Sequence, residues 1–188
     1  MNGLARMLAR LRKDCRGVSA LEFALIAPVL ILLFFGLAEL SQAFTAKRRV
    51  SHAASAVGDL VAQADKATTQ ADLDNIFAAG RILLEPFSTH RFGLRITSVT
   101  GDANGVPKVD WTDADGAPTP KLDASGAVKL PTGLITAPGD TVIVADAVYS
   151  YNPLIAVVSQ SGFTFRDRFY LHPRVMAKVV CTDCAPTP

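Results

Sequence analysis

The sequence lacks the short motifs that mark common catalytic and nucleotide-binding sites. It contains no G-x-S-x-G nucleophile elbow, no P-loop and no G-x-G-x-x-G turn. The acidic run before Gly116 does not fit a calcium loop, because its twelfth position would be Leu122 instead of glutamate. The three histidines show no ligand spacing. We therefore expect no enzyme activity, no metal or cofactor site and no small-molecule substrate.

Cysteine is scarce, and its three copies fall into two groups. Cys15 lies in a basic N-terminal stretch, whereas Cys181 and Cys184 form a single C-x-x-C near the C-terminal end. A zinc site needs further ligands, and a thioredoxin-like motif needs its cysteine at a helix N-terminus after a strand. In an oxidising compartment this pair is expected to be a local disulfide or two free thiols.

The chain also lacks a basic surplus outside its N-terminus. Residues 1–17 carry five basic side chains and one acid, so the remainder of this +2 chain has a net charge of −2. The basic pI is therefore a property of this leader, and nothing here predicts nucleic-acid binding by the folded part.

What the sequence does contain is one long apolar run, at residues 23–38, which holds no charged side chain. An α-helix over those residues covers about 24 Å, and one over residues 18–44 covers about 40 Å, against a hydrocarbon core of about 30 Å. We predict a membrane span over residues 18–44, with Glu22 near the headgroups or protonated. More basic residues precede the run than follow it, which favours an N-terminus inside.

The same pattern has a second interpretation. A basic stretch, an apolar run and the small-x-small sequence Ser41-Gln42-Ala43 before Phe44 are also typical of a secretory signal peptide. That interpretation predicts cleavage after Ala43 and a secreted domain.

Beyond the span, hydrophobic periodicity predicts an α+β protein. Small apolar residues at helical spacing continue the first helix to about residue 64, giving a rod of about 70 Å. Pro28 has two interpretations: a proline tolerated in a membrane helix, or the cause of a kink over residues 24–28. A second helix is predicted from Thr69, ending at Pro86. Antiparallel strands are predicted over residues 92–100, 106–112, 141–151, 163–171 and 174–181. Residues 113–132 are predicted to be a surface excursion that contains a short strand at 127–130.

Two finer expectations follow from these strands. Val109 and Trp111 are two residues apart, so we expect them on one side of the second strand. The apolar residues 153–158 are expected to form a short connection or helical turn. The resulting segments are a leader at 1–17, a span at 18–44, a helical region at 45–86, a β-rich domain at 87–181 and a flexible tail at 182–188.

Residues 16–44, RGVSALEFALIAPVLILLFFGLAELSQAF, carry a family resemblance. They contain an Arg-Gly pair, a short spacer, Glu-Phe-Ala, an apolar run with a proline, then a glycine and a second acid. This pattern resembles TadE-like minor pseudopilins of the tight-adherence (Tad, or Flp) pilus system. TadF-like and short TadG-like proteins share much of it. The resemblance implies a pilin-like form, in which a long membrane helix extends into the periplasm and a second helix and an antiparallel sheet follow.

The resemblance also implies a mechanism. A prepilin peptidase of the bacterial inner membrane would cut between Gly17 and Val18. Glu22, followed by Phe23, would then be the fifth residue of the mature chain and would pair with the amino group of a neighbouring subunit. The implied partners are other minor pseudopilins, the major pilin, inner-membrane platform proteins and the peptidase, and the implied roles are pilus biogenesis, adhesion and biofilm growth. The alternative function is an anchored or secreted periplasmic protein-binding domain that never enters a filament.

Overall fold

The computed structural model describes residues 17–116, 130–153 and 161–184, and it confirms the α+β architecture. A single long helix, α1 (Val18–Ala62), leads into a shorter helix, α2 (Gln70–Ile82). Four strands follow: β1 (Phe92–Gly101), β2 (Pro107–Asp115), β3 (Thr141–Tyr151) and β4 (Phe163–Leu171). They form one antiparallel sheet in the order β2-β1-β3-β4.

The C-terminal part of α1 packs on one face of this sheet. The helix presents small side chains there, so its backbone can approach the strands closely. At Gly58 even a methyl group would meet Leu171 Cδ1 at 2.7 Å and Ala145 Cβ at 2.8 Å. The residues of α1 buried in this way are Ala43, Ala46, Val50, Ala53, Ala54, Val57 and Val61.

Helix α2 starts where the sequence predicted. The Thr69 hydroxyl accepts a hydrogen bond from the Asp72 backbone amide, and the Asp72 carboxylate accepts one from the Thr69 amide at 3.0 Å. This capping box satisfies two of the amides that a helix start leaves open. The hydrogen bonds from Thr69 lower the pKa of Asp72. The apolar face of α2, with Leu73 and Phe77 fully buried, then packs into the main core.

The structure corrects the prediction that Val109 and Trp111 share one side of β2. The strand register shifts between Ser98 and Val99, so that Ser98 pairs with Trp111 and Val99 with Val109. Asp110 is the extra residue of a β-bulge, which reverses the alternation of side chains. Trp111 therefore lies in the main core, and Val109 packs in a second apolar cluster.

The strand predicted at residues 174–181 is also wrong. Apart from one isolated bridge between Cys181 and Thr68, this segment does not pair as a strand. Its polar groups bond elsewhere: the Arg174 amide donates to the Ala62 carbonyl at 2.8 Å, and the Trp111 indole donates to the Val179 carbonyl at 2.9 Å.

Residues 182–184, predicted within a flexible tail, pack against the start of α2. The Thr182 amide donates to the Thr68 carbonyl, and the Asp183 carboxylate accepts from the Gln70 amide at 2.7 Å.

The predicted surface excursion is corrected at its start, because residues 113–115 belong to β2. Four predicted segments lie mostly or wholly outside the described residues. They are the rest of that excursion, the strand at 127–130, the connection at 153–158 and the leader before Gly17.

Candidate functional site

The N-terminal part of α1 stands free of the domain. Its large apolar side chains are exposed all around the helix, unlike those of a soluble amphipathic helix. Residues 18–38 measure about 30 Å along the axis, which equals the thickness of a hydrocarbon core. The helix is thus a candidate membrane span by length and composition. The exposed residues are Leu21, Phe23, Leu25, Ile26, Val29, Leu30, Ile31, Leu32, Leu33, Phe34, Phe35 and Leu37.

The residues predicted for processing and assembly lie together at the start of this helix. Gly17 is the N-cap, is exposed and is followed by the first helical residue, Val18. Glu22 and Phe23 are exposed little more than one turn further on. Because helical side chains lean towards the N-terminus, the Glu22 carboxylate is directed towards the helix start. Pro28 lies within α1, whose hydrogen-bonded helix continues through it to Ala62. The predicted kink stays a prediction.

Contact with the domain begins at Glu39, which is only 6 % exposed. Burial raises the pKa of Tyr151, and the neighbouring carboxylate of Glu39 raises it further. Tyr151 belongs to an aromatic group at the end of the sheet, where its ring centroid lies 6.1 Å from that of Phe87 and 6.3 Å from that of Phe165. The predicted span, 18–44, therefore overlaps the folded domain by its last six residues.

At the other end of the domain, Cys181 and Cys184 are joined by a disulfide. They adjoin a cavity of about 320 Å³, also lined by Asp110, Trp111 and Lys178. The ammonium group of Lys178 is already bound to the Asp110 carboxylate at 2.5 Å. Asp183 lies beside the two sulfurs, but cysteines in a disulfide cannot serve as thiolate ligands for a metal ion.

The outer face of the sheet holds an ion cluster that sequence analysis did not find. Asp146, on β3, binds Arg95 on β1 and Arg168 on β4, and Arg95 and Asp146 are almost fully buried. The hydrogen bond with Asp146 raises the pKa of Arg168. Only the strand register brings these residues side by side, so no local pattern announces them. The buried position of Glu39 was missed in the same way.

The described residues thus combine a bare apolar helix, which is a candidate membrane span, with a small α+β domain. Residues 17–59 match the family model of TadE-like proteins, which confirms the resemblance found in the sequence. The match covers the candidate span and most of the packed part of α1, and it indicates a protein associated with the Tad pilus. No curated protein and no solved structure matches the chain.

Proposed function

We propose that the protein is a minor pseudopilin or assembly component of a Tad-type (Flp) pilus, and not an enzyme. The observation that carries the proposal is the bare helix start, which combines Gly17, an exposed Glu22 and the family match over 17–59. In this account a prepilin peptidase cuts the bond between Gly17 and Val18. The leader stays in the cytoplasm, and the α+β domain lies in the periplasm.

The role of Glu22 follows from its place on the helix. Cleavage would create an amino group at Val18, four residues before Glu22, at the apolar end of the chain. Two charges in apolar surroundings are costly singly and tolerable when paired. Pairing between the amine of one subunit and the carboxylate of another would fix the axial register of neighbouring helices. Phe23 and the apolar residues beyond it would then contact lipid or other pilus subunits.

The packing of α1 supports an anchored rather than a secreted domain. Cleavage after Ala43 would divide the helix inside its contact with the sheet and remove the buried Glu39. The proposed partners are therefore those of a membrane-held subunit: other minor pseudopilins, the major pilin, the platform proteins and the peptidase. Adhesion and biofilm growth would follow from the pilus that they build.

Glu22→Gln tests this proposal. The substitution keeps size and hydrogen bonding but removes the charge, so we expect cleavage to remain near normal and pilus formation to fall strongly. Phe34→Ala, in the middle of the bare helix, serves as the control for a general loss of apolar surface. Normal piliation with Glu22→Gln, at equal protein level, would reject the role of Glu22. Normal piliation in a strain that lacks the protein would reject the assembly function itself.

A further inference from the structure

A basic and aromatic surface surrounds the point where the bare helix enters the domain. We call it the juxtamembrane patch, and it consists of Phe44, Lys47, Arg48 and Arg91. All four side chains are exposed, and Phe44 keeps 63 % of its surface accessible. A single exposed phenylalanine is common on the surface of soluble proteins. Next to a membrane span, however, long basic side chains near the helix end can reach back to the headgroups, so the position of Phe44 and these cations gives them a candidate partner.

Helix geometry turns part of this patch towards the membrane. Phe44 and Arg48 are four residues apart and share one side of α1, away from the buried face of Ala43, Ala46 and Val50. Helical side chains lean towards the N-terminus, which here is the direction of the bare segment 18–38. Phe44 lies about 9 Å beyond residue 38 along the axis, close to the depth of the headgroup layer. Lys47 and Arg48 follow by one turn, and their long side chains can reach back to it.

A different element adds Arg91 at the same end. Arg91 ends a 3-10 turn, Thr89–Arg91, directly before β1, whose first residue, Phe92, pairs with Tyr149. Tyr149 is two residues from Tyr151, which lies next to Glu39. The positive charge of Arg91 also acts on Tyr149 and lowers its pKa, against the larger effect of burial. Arg91 therefore lies at the end of the sheet from which the bare helix emerges.

The cations of the patch differ from those at the far end of the domain. There, Arg174 binds Asp59 and Lys178 binds Asp110. Within residues 17–116, 130–153 and 161–184, none of Lys47, Arg48 and Arg91 forms a salt bridge. Glu85 is exposed in the turn after α2 and offsets one positive charge at most.

We propose that the juxtamembrane patch binds the phosphates of anionic lipids on the domain's side of the membrane and holds the domain against the bilayer. Continuity with the span favours lipid over a protein partner, because membrane insertion of residues 18–38 holds these cations within reach of the headgroups, where attraction to anionic lipid can dock the domain. The proposal rests on that insertion, which belongs to the proposed function, but requires neither cleavage nor a filament. Each cation near an anionic surface is expected to change the ratio of docked to free domains about fivefold.

The test uses the purified full-length protein with Cys15→Ser and the disulfide intact, reconstituted in vesicles without peptidase. A fluorophore on His90→Cys reports whether the patch lies close to the lipid headgroups. The same fluorophore on Asn104→Cys, in the turn after β1 at the far end of the domain, is the positional control. The vesicles contain phosphatidylcholine alone or with phosphatidylglycerol, together with a lipid that carries a quencher in its headgroup. We expect quenching at position 90 but not at 104, only with phosphatidylglycerol, and weaker at high salt because exposed charges are screened.

Charge-removing variants decide the assignment. Lys47→Gln with Arg48→Gln should lower the docked-to-free ratio by about 25-fold, and adding Arg91→Gln should lower it further. Lys66→Gln with Lys108→Gln removes two exposed cations outside the patch and should change little. Three outcomes would each overturn the proposal. They are equal quenching in both lipids, equal quenching at positions 90 and 104, and equal losses in the two double variants. Quenching that depends on protein density but not on phosphatidylglycerol would overturn it in favour of contact between copies. All of these outcomes can occur whether or not the protein is processed or built into a pilus.

Discussion

Helix α1 is one continuous element with two unlike parts. Residues 19–38 expose apolar side chains in every direction, whereas residues 39–62 bury one face of small residues against the sheet. The second part is amphipathic and is stabilised by its own domain. The first part has no polar face and makes sense only when lipid or other apolar helices surround it. A single helix therefore joins a candidate membrane span to a folded domain, and the boundary lies at Glu39.

The largest expected effect contrasts a buried with an exposed phenylalanine. Phe77→Ala removes a fully buried ring of α2 and should lower the free energy of domain unfolding by about 3–5 kcal/mol. Phe34→Ala, in the bare part of α1, removes a ring that is 67 % exposed and should leave that free energy unchanged. Denaturant unfolding in detergent, followed by the fluorescence of Trp111, measures both. A comparable loss in the two variants would contradict the division of α1 into two parts.

A smaller effect is expected where the packed part of α1 touches the sheet. Gly58→Ala should gain helix propensity, about 1 kcal/mol, but lose about 1–3 kcal/mol to the clash with Leu171 and Ala145. The net result should be a destabilisation of about 1 kcal/mol, measured by the same unfolding experiment. Adding Leu171→Ala should make the two changes non-additive, because it removes one side of the clash. Strict additivity would show that the close approach at Gly58 does not limit the packing.

The two helix starts sharpen the comparison further. No side chain caps the start of α1 at Gly17, whereas Thr69 and Asp72 form a capping box at the start of α2. Thr69→Ala should therefore cost about 1 kcal/mol of domain stability, measured by thermal unfolding at neutral pH.

The same capping box predicts a dependence on pH. The folded state lowers the pKa of Asp72, so its contribution is present above the unfolded pKa of about 4 and is lost as pH falls through the folded value. The difference between the wild type and Thr69→Ala should accordingly shrink in acid. A difference that is constant with pH would contradict the contribution of Asp72.

The smallest effect separates the two acids of α1. Glu39→Gln removes the carboxylate near Tyr151 and should lower the pKa of that tyrosine, read by ultraviolet titration against a Tyr151→Phe variant. Glu22→Gln, far along the bare helix, should leave it unchanged. The same shift in both variants would show that Glu39 does not lie at the domain boundary.

Much of this fold could be predicted because its elements carry strong local signals. Strand β3 is a β-branched apolar run, and its predicted and observed limits coincide at Thr141–Tyr151. The start of α2 follows from Thr69 and the acid three residues later. The apolar run of α1 likewise predicted a candidate membrane span.

The errors arose where distant contacts decide the structure. The bulge at Asp110 is set by pairing with β1, so alternation along β2 alone placed Val109 on the wrong face. Residues 174–181 have the composition of a strand, but their backbone bonds to Ala62, Thr68 and Trp111 instead of a neighbouring strand. The pairing of Asp146 with Arg95 and the burial of Glu39 likewise depend on residues far apart in sequence.

The most direct test of the proposed function is the N-terminal sequence and intact mass of the membrane-bound protein, in strains with and without the prepilin peptidase. The account predicts a chain that starts at Val18 only when the peptidase is present, and an uncut chain without it. A chain that starts at Phe44, or an uncut chain in both strains, would contradict the account and favour a secreted or permanently anchored binding domain.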